Sequence, residues 1–145
     1  DDEQFVVIGG IAGTWAGTYL VEQCVGSPSL VNELMCASPS PGRQTGFAYV
    51  GATLPITMEL TVSGANVTGT VTFGSLRVPV TGQDRGSGVF SLRGVTQGAV
   101  MLNITHWDAG VQADQMNGFI AYEVNFSGVS GTGSAASRLV NVTRR

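Results

Sequence analysis

At 145 residues the chain is the size of one domain, and its residues are 43% hydrophobic but only 12% charged, about half the usual charged share. It contains no lysine, so its seven basic residues are all arginines, set against ten acidic ones for a net charge of −3. That excludes Schiff-base and P-loop lysine chemistry, and it leaves none of the basic surface by which proteins hold nucleic acid.

Phe5-Val6-Val7-Ile8 is an apolar run ended by Gly9-Gly10. Four large side chains left in water would forgo ~1.5–3 kcal/mol each, so the run is expected to act as an edge strand or as an arm packed on a neighbour. Residues 1–10 are therefore read as the arm or edge strand and residues 11–145 as the barrel domain. Ile11 to Gln23 alternates, with Trp15, Tyr19 and Val21 on one face and Thr14, Thr18 and Glu22 on the other. Ser27-Pro28 then sets proline at a first helical position, and Leu30, Val31, Leu34 and Met35 have helical spacing, which predicts one short helix. Ser38-Pro39-Ser40-Pro41-Gly42 is a loop.

Cys24 and Cys36 bracket that helix. So close a pair, in the one non-repetitive part of a Thr/Ser/Gly-rich chain, reads as a local disulfide and hence as an exported protein, periplasmic, cell-surface or extracellular. The other reading is two free buried thiols. A zinc site needs more ligands than these cysteines and the single His106 supply, so no metal is expected. No run approaches the ~18–20 apolar residues of a membrane span. The opening Asp1-Asp2-Glu3 suits a cleaved secretory signal, with a cut at a domain boundary as the alternative.

From Phe47 the β pattern resumes. Leu54, Ile56, Met58, Leu60 and Val62 alternate with polar residues up to the turn Ser63-Gly64-Ala65-Asn66, and Val67, Val71 and Phe73 form the hairpin partner. Leu76, Val78 and Val80 follow, where Pro79 marks an edge or a bulge. Gln83 to Gly88 reads as an exposed turn, Val89 to Arg93 as a strand, Ala99 to Trp107 as a longer one, and Asp108-Ala109-Gly110 as the next turn. Ile120, Tyr122, Val124 and Phe126 share one face, and Ser130 to Val142 closes the chain with Val140 and Val142 in phase. Eight strands with short connections predict an all-β fold, a single up-and-down antiparallel barrel whose closure removes exposed edges, with one short helix in the disulfide-closed loop.

Gly13-Thr14-Trp15 on the first long strand resembles the opening of lipocalins and other calycins. The resemblance implies that Trp15 plugs one barrel end and that an arginine of the last strand lies across it. Arg144 is the matching position, with Arg138 as fallback, and such a contact is worth ~0.5–2 kcal/mol as a cation–π pair. The whole chain also resembles a loose group of uncharacterised bacterial exported proteins with a Gly-Thr-Trp start, a cysteine pair and a terminal Leu-x-x-x-Thr-Arg, here Leu139 to Arg144. The Gly13 to Gly17 stretch is similar to haem-binding nitrobindin barrels as well. Those need a late histidine on the iron, and His106, between Thr105 and Trp107, does not match, so no cofactor is expected.

No catalytic set stands out. In His106-Trp107-Asp108 neighbouring residues of a strand point to opposite faces, so His106 and Trp107 cannot share a pocket wall. Glu59 and Glu123 are the mid-strand carboxylates, the residue type by which glycosidases work, yet both alternate onto the solvent face. No serine has a Gly-x-Ser-x-Gly frame. Four of the six asparagines begin Asn-x-Ser/Thr, and Asn66 is placed in a turn where a glycan would fit. The expected role is thus a non-catalytic exported barrel binding an apolar small molecule or a protein partner. The alternatives are a structural subunit of an oligomer or larger assembly using Phe5, Val6, Val7 and Ile8 for subunit contacts, and a carbohydrate-active enzyme.

Overall fold

The computed structural model describes residues 10–42, 45–96 and 98–145. The subunit contact expected of Phe5, Val6, Val7 and Ile8 lies outside the described residues. Eight strands close into one antiparallel barrel in sequence order: β1 (Gly13–Ser27), β2 (Thr53–Ser63), β3 (Asn66–Phe73), β4 (Leu76–Gly86), β5 (Val89–Thr96), β6 (Val100–Gln112), β7 (Gln115–Phe126) and β8 (Thr132–Arg144). One helix, α1 (Ser29–Met35), stands between β1 and β2 in the loop closed by the Cys24–Cys36 disulfide. The expected fold class is the one observed.

The alternation read from the sequence is the inside-outside alternation of the wall. Trp15, Tyr19, Val21, Ile56, Met58, Leu60, Val67, Val71 and Phe73 fill the interior, while Thr14, Thr57, Glu59, Thr61 and Thr68 face outward. The interior is a packed core for most of its length.

Bulges re-phase the alternation and correct several expected boundaries. Thr105 is an extra residue in β6, so Leu102 and Ile104 point inward before it and Trp107, Ala109 and Val111 after it. The stretch Asp108-Ala109-Gly110 is therefore strand, paired with Phe119, Gly118 and Asn117, and the turn lies at Ala113-Asp114, where Ala113 has φ +56°. Gln83 to Gly86 likewise belongs to β4, leaving Ser87-Gly88 as the turn.

A bulge at Asn141, φ +54°, separates Val140, which is half-buried, from Val142, which is buried, so these two are not in phase. It is the added residue that puts Val142 and Arg144 on the inner row. Gly17 permits it, because a Cβ there would collide with the Asn141 carbonyl and the Val142 Cα.

Two prolines also differ from expectation. Pro28 occupies the N-cap of α1, one place before the helix, and of the four helical apolar residues Val31 and Met35 are buried while Leu30 is exposed. Pro79 sits on no edge, since the barrel is closed. It faces outward, just past the point where the pairing of β4 with β5 begins at Val80, so its missing N–H leaves no gap in that ladder.

Candidate ligand-binding site

The two barrel ends are built differently. At the end bearing the β2–β3, β4–β5 and β6–β7 turns, Trp15 is fully buried and its Nε1–H donates to the Ile11 carbonyl at 2.9 Å. The Arg144 guanidinium lies over the indole, with Cζ 4.3 Å from the ring centroid. Its nitrogens donate to Asp114 Oδ1 (3.0 Å), the Ala12 carbonyl (2.6 Å) and the Gly10 carbonyl (2.5 Å). Arg144 so ties β8 to the β6–β7 turn and to the segment entering β1. Arg138, the fallback, instead pairs on the outside with Glu22 at 3.1 Å.

Among the described residues the opposite end is open. A cavity of about 340 Å³ lies there, walled by Tyr19, Phe47, Leu54, Phe73, Leu76 and Val100 beside the Gly74-Ser75 turn. That volume falls at the lower end of small-molecule pockets, typically ~300–1,000 Å³. Each wall residue arrives for a local reason. Leu54 and Tyr19 are cross-strand partners on β2 and β1. Phe73 and Leu76 flank the β3–β4 turn, whose Gly74 takes φ +59°. Val100 opens β6 opposite Phe126, and the Phe126 ring packs edge-on to Phe47, 6.2 Å between centroids.

Phe47 is placed by the disulfide-closed loop. The Ala48 N–H donates to the Met35 carbonyl and the Gly46 N–H to the Ala37 carbonyl, both at 2.8 Å, so the rim carrying Phe47 hangs on the end of α1. Met35 is buried at the mouth against Gly133 of β8, which has no room for a Cβ beside the Met35 sulfur.

The floor of the cavity is aromatic. Tyr19 meets Phe73 edge-on at 5.6 Å, and Phe73 in turn lies 6.0 Å from both Trp107 and Tyr122. Burial pushes the Tyr19 phenol well above its ordinary range, and the neighbouring Tyr122 adds to the rise. Burial also raises Tyr122, which Ser137 pulls partly back down, although the two hydroxyls do not meet in hydrogen-bonding geometry. These phenols are neutral at physiological pH.

The other residues singled out from the sequence lie on the outer surface. His106 is exposed while Trp107 is buried, and His106 Nε2 meets Asp108 Oδ2 at 2.7 Å across one intervening residue. That pair, with Arg85, Ser91 and Arg93, borders a shallow hollow of about 140 Å³. Glu59 on β2 and Glu123 on β7 both point outward from strands separated by β1 and β8, and no cleft brings them together. Asn66 is exposed as the first residue of β3 and accepts from Gln83 Nε2 at 3.1 Å.

Sequence reasoning missed most of the cavity. Alternation puts Tyr19, Leu54 and Phe73 on inward rows, but nothing local marks Phe47 or Val100 as rim residues.

The fold and site thus define a closed antiparallel barrel plugged at one end and hollow at the other. Comparison with protein-family models, with curated proteins and with solved structures finds no match to the chain.

Proposed function

We propose that the chain is a small exported, non-catalytic barrel that binds an apolar small molecule in the mouth opposite Trp15. The observation that carries this is the cavity itself: about 340 Å³, bounded by six large apolar or aromatic side chains at the barrel end opposite Trp15, which none of the described residues plugs. Filling it removes apolar surface from water on both partners at ~25 cal/mol per Å². The disulfide and the lack, among the described residues, of a helix able to cross a membrane are compatible with export. A surface low in charge and rich in threonine fits a carrier or accessory protein, and the resemblance to calycins points the same way.

The test is binding of the neutral fluorescent probe N-phenyl-1-naphthylamine. Saturable binding at one site is expected, lost at least tenfold in Leu76→Trp, which fills the hollow, and retained in Glu59→Gln, which faces solvent. Absence of saturable binding, or equal affinity in Leu76→Trp, would defeat the reading.

A further inference from the structure

Three polar atoms inside the barrel, Trp107 Nε1, Tyr122 OH and Ser137 Oγ, are buried without a hydrogen-bond partner among the described residues. Leaving one such group unpaired costs ~1–3 kcal/mol, and native interiors hold only a few per hundred residues. Here the three share one patch of inner wall. Trp107 stands opposite Ile120 across β6–β7, Ile120 stands opposite Ser137 across β7–β8, and Tyr122 is the next inward residue of β7.

The patch adjoins the cavity floor. Phe73 lines the cavity with one side of its surroundings and touches the rings of Trp107 and Tyr122 with the other, 6.0 Å from each. A molecule in the mouth is thus one aromatic side chain away from three unused polar atoms.

The chemistry of these atoms limits what they can take. An indole N–H only donates, and a pair of hydroxyls that bond each other still has a donor to spare. However the three pair among themselves, an open chain of bonds leaves at least one N–H or O–H with nothing to donate to, and an acceptor on the ligand would take it. Ser137 is the only buried residue of polar or charged type among the described residues, so none of them places an ion inside the barrel to balance a charged head. Arg144, the one arginine on the inner row among the described residues, is committed to Asp114 and Trp15 at the far end. Burying an unpaired carboxylate or ammonium costs several kcal/mol or more.

We infer that the ligand is a neutral amphiphile, an apolar chain carrying an uncharged hydrogen-bond acceptor such as a ketone or ester carbonyl, which enters acceptor-first and, as the Phe73 ring turns aside, is held by Trp107, Tyr122 and Ser137. This rests on the cavity being the ligand site, and it adds what the bound end must be.

Displacement of N-phenyl-1-naphthylamine by nonane, 2-nonanone and nonanoate separates the two claims. The expected order is 2-nonanone about fivefold or more tighter than nonane, the worth of one or two net hydrogen bonds, with nonanoate weaker than 2-nonanone. In Tyr122→Phe and Ser137→Ala the preference for ketone over alkane should shrink while nonane affinity holds, an outcome a merely structural role would not give. Failure of all three compounds to displace the probe overturns the cavity reading and this one with it. Equal affinity of nonane and 2-nonanone in the unaltered protein, or tighter binding of nonanoate, overturns this inference alone. The unaltered protein answers by itself should a variant not fold.

Discussion

Trp15 is the residue on which most interactions of the plugged end converge. Its indole is fully buried, bonded to Ile11 and covered by a guanidinium whose nitrogens are themselves held by Asp114, Ala12 and Gly10. Trp15→Ala should cost ~3–5 kcal/mol as a large core truncation, measured by chemical denaturation, and an unchanged midpoint would show that the plug is dispensable. The tyrosines supply a second residue-scale prediction. Both Tyr19 and Tyr122 ionise less readily folded than unfolded, so the native state keeps protons the unfolded chain gives up. Their contribution to stability is fully present below the ordinary phenol pKa of 10.0 and falls as pH rises above it. Denaturation midpoints should therefore drop between about pH 10 and 12, and less steeply in a Tyr122→Phe variant. At this scale the sequence was informative wherever chemistry is local, as at Gly13-Thr14-Trp15. It was misleading about why Arg144 faces inward, because that depends on a left-handed residue, Asn141, whose conformation no periodicity announces.

Elements were legible in number and order but not in length, and bulges explain the difference. Period-two reasoning ends a strand when the phase slips, yet in β6 and β8 the ladder continues with one added residue and the inward set changes parity. Thr105 illustrates what such a residue does: its hydroxyl donates to the Ala121 carbonyl at 3.2 Å, and because it stands outside the pairing the inward row passes from Ile104 to Trp107, Ala109 and Val111. Deleting Thr105 should therefore join Ile104 to His106 in plain alternation, keep Trp107, Ala109 and Val111 inward, and leave near-UV dichroism native in form. Thr105→Ala, which keeps the count and loses one part-buried bond, should cost only ~1 kcal/mol. Loss of the near-UV signal in the deletion variant would mean that β6 needs the bend of the bulge itself, and not only its residue count. The helix is legible from the spacing of Leu30, Val31, Leu34 and Met35, yet only Val31 and Met35 are buried, because a single-sided seven-residue helix buries one short stripe.

At the scale of the molecule, the barrel keeps its stability and its binding at opposite ends. Arg144, Trp15 and the β6–β7 turn lock one end, whereas the mouth depends on a chain of attachments from Cys24–Cys36 through α1 to Phe47. Cross-links act on the unfolded chain, and a loop of 12 residues is worth ~3 kcal/mol by loop entropy. Such a link also acts locally here, because the Met35 and Ala37 carbonyls that hold the Phe47 rim lie on either side of Cys36. The two ends should respond differently to damage. Trp15→Ala is expected to lower the melting temperature while leaving the affinity for N-phenyl-1-naphthylamine within about twofold, since the plug shares no wall residue with the cavity. Reduction, or the Cys24→Ser/Cys36→Ser pair, should both lower the melting temperature and weaken the probe several-fold, with amide exchange rising in residues 28–52 while β5, β6 and β7 stay protected. If reduction left affinity and exchange at the mouth unchanged, α1 and the Phe47 rim would be held by packing alone, with Met35 buried against β8 as their anchor.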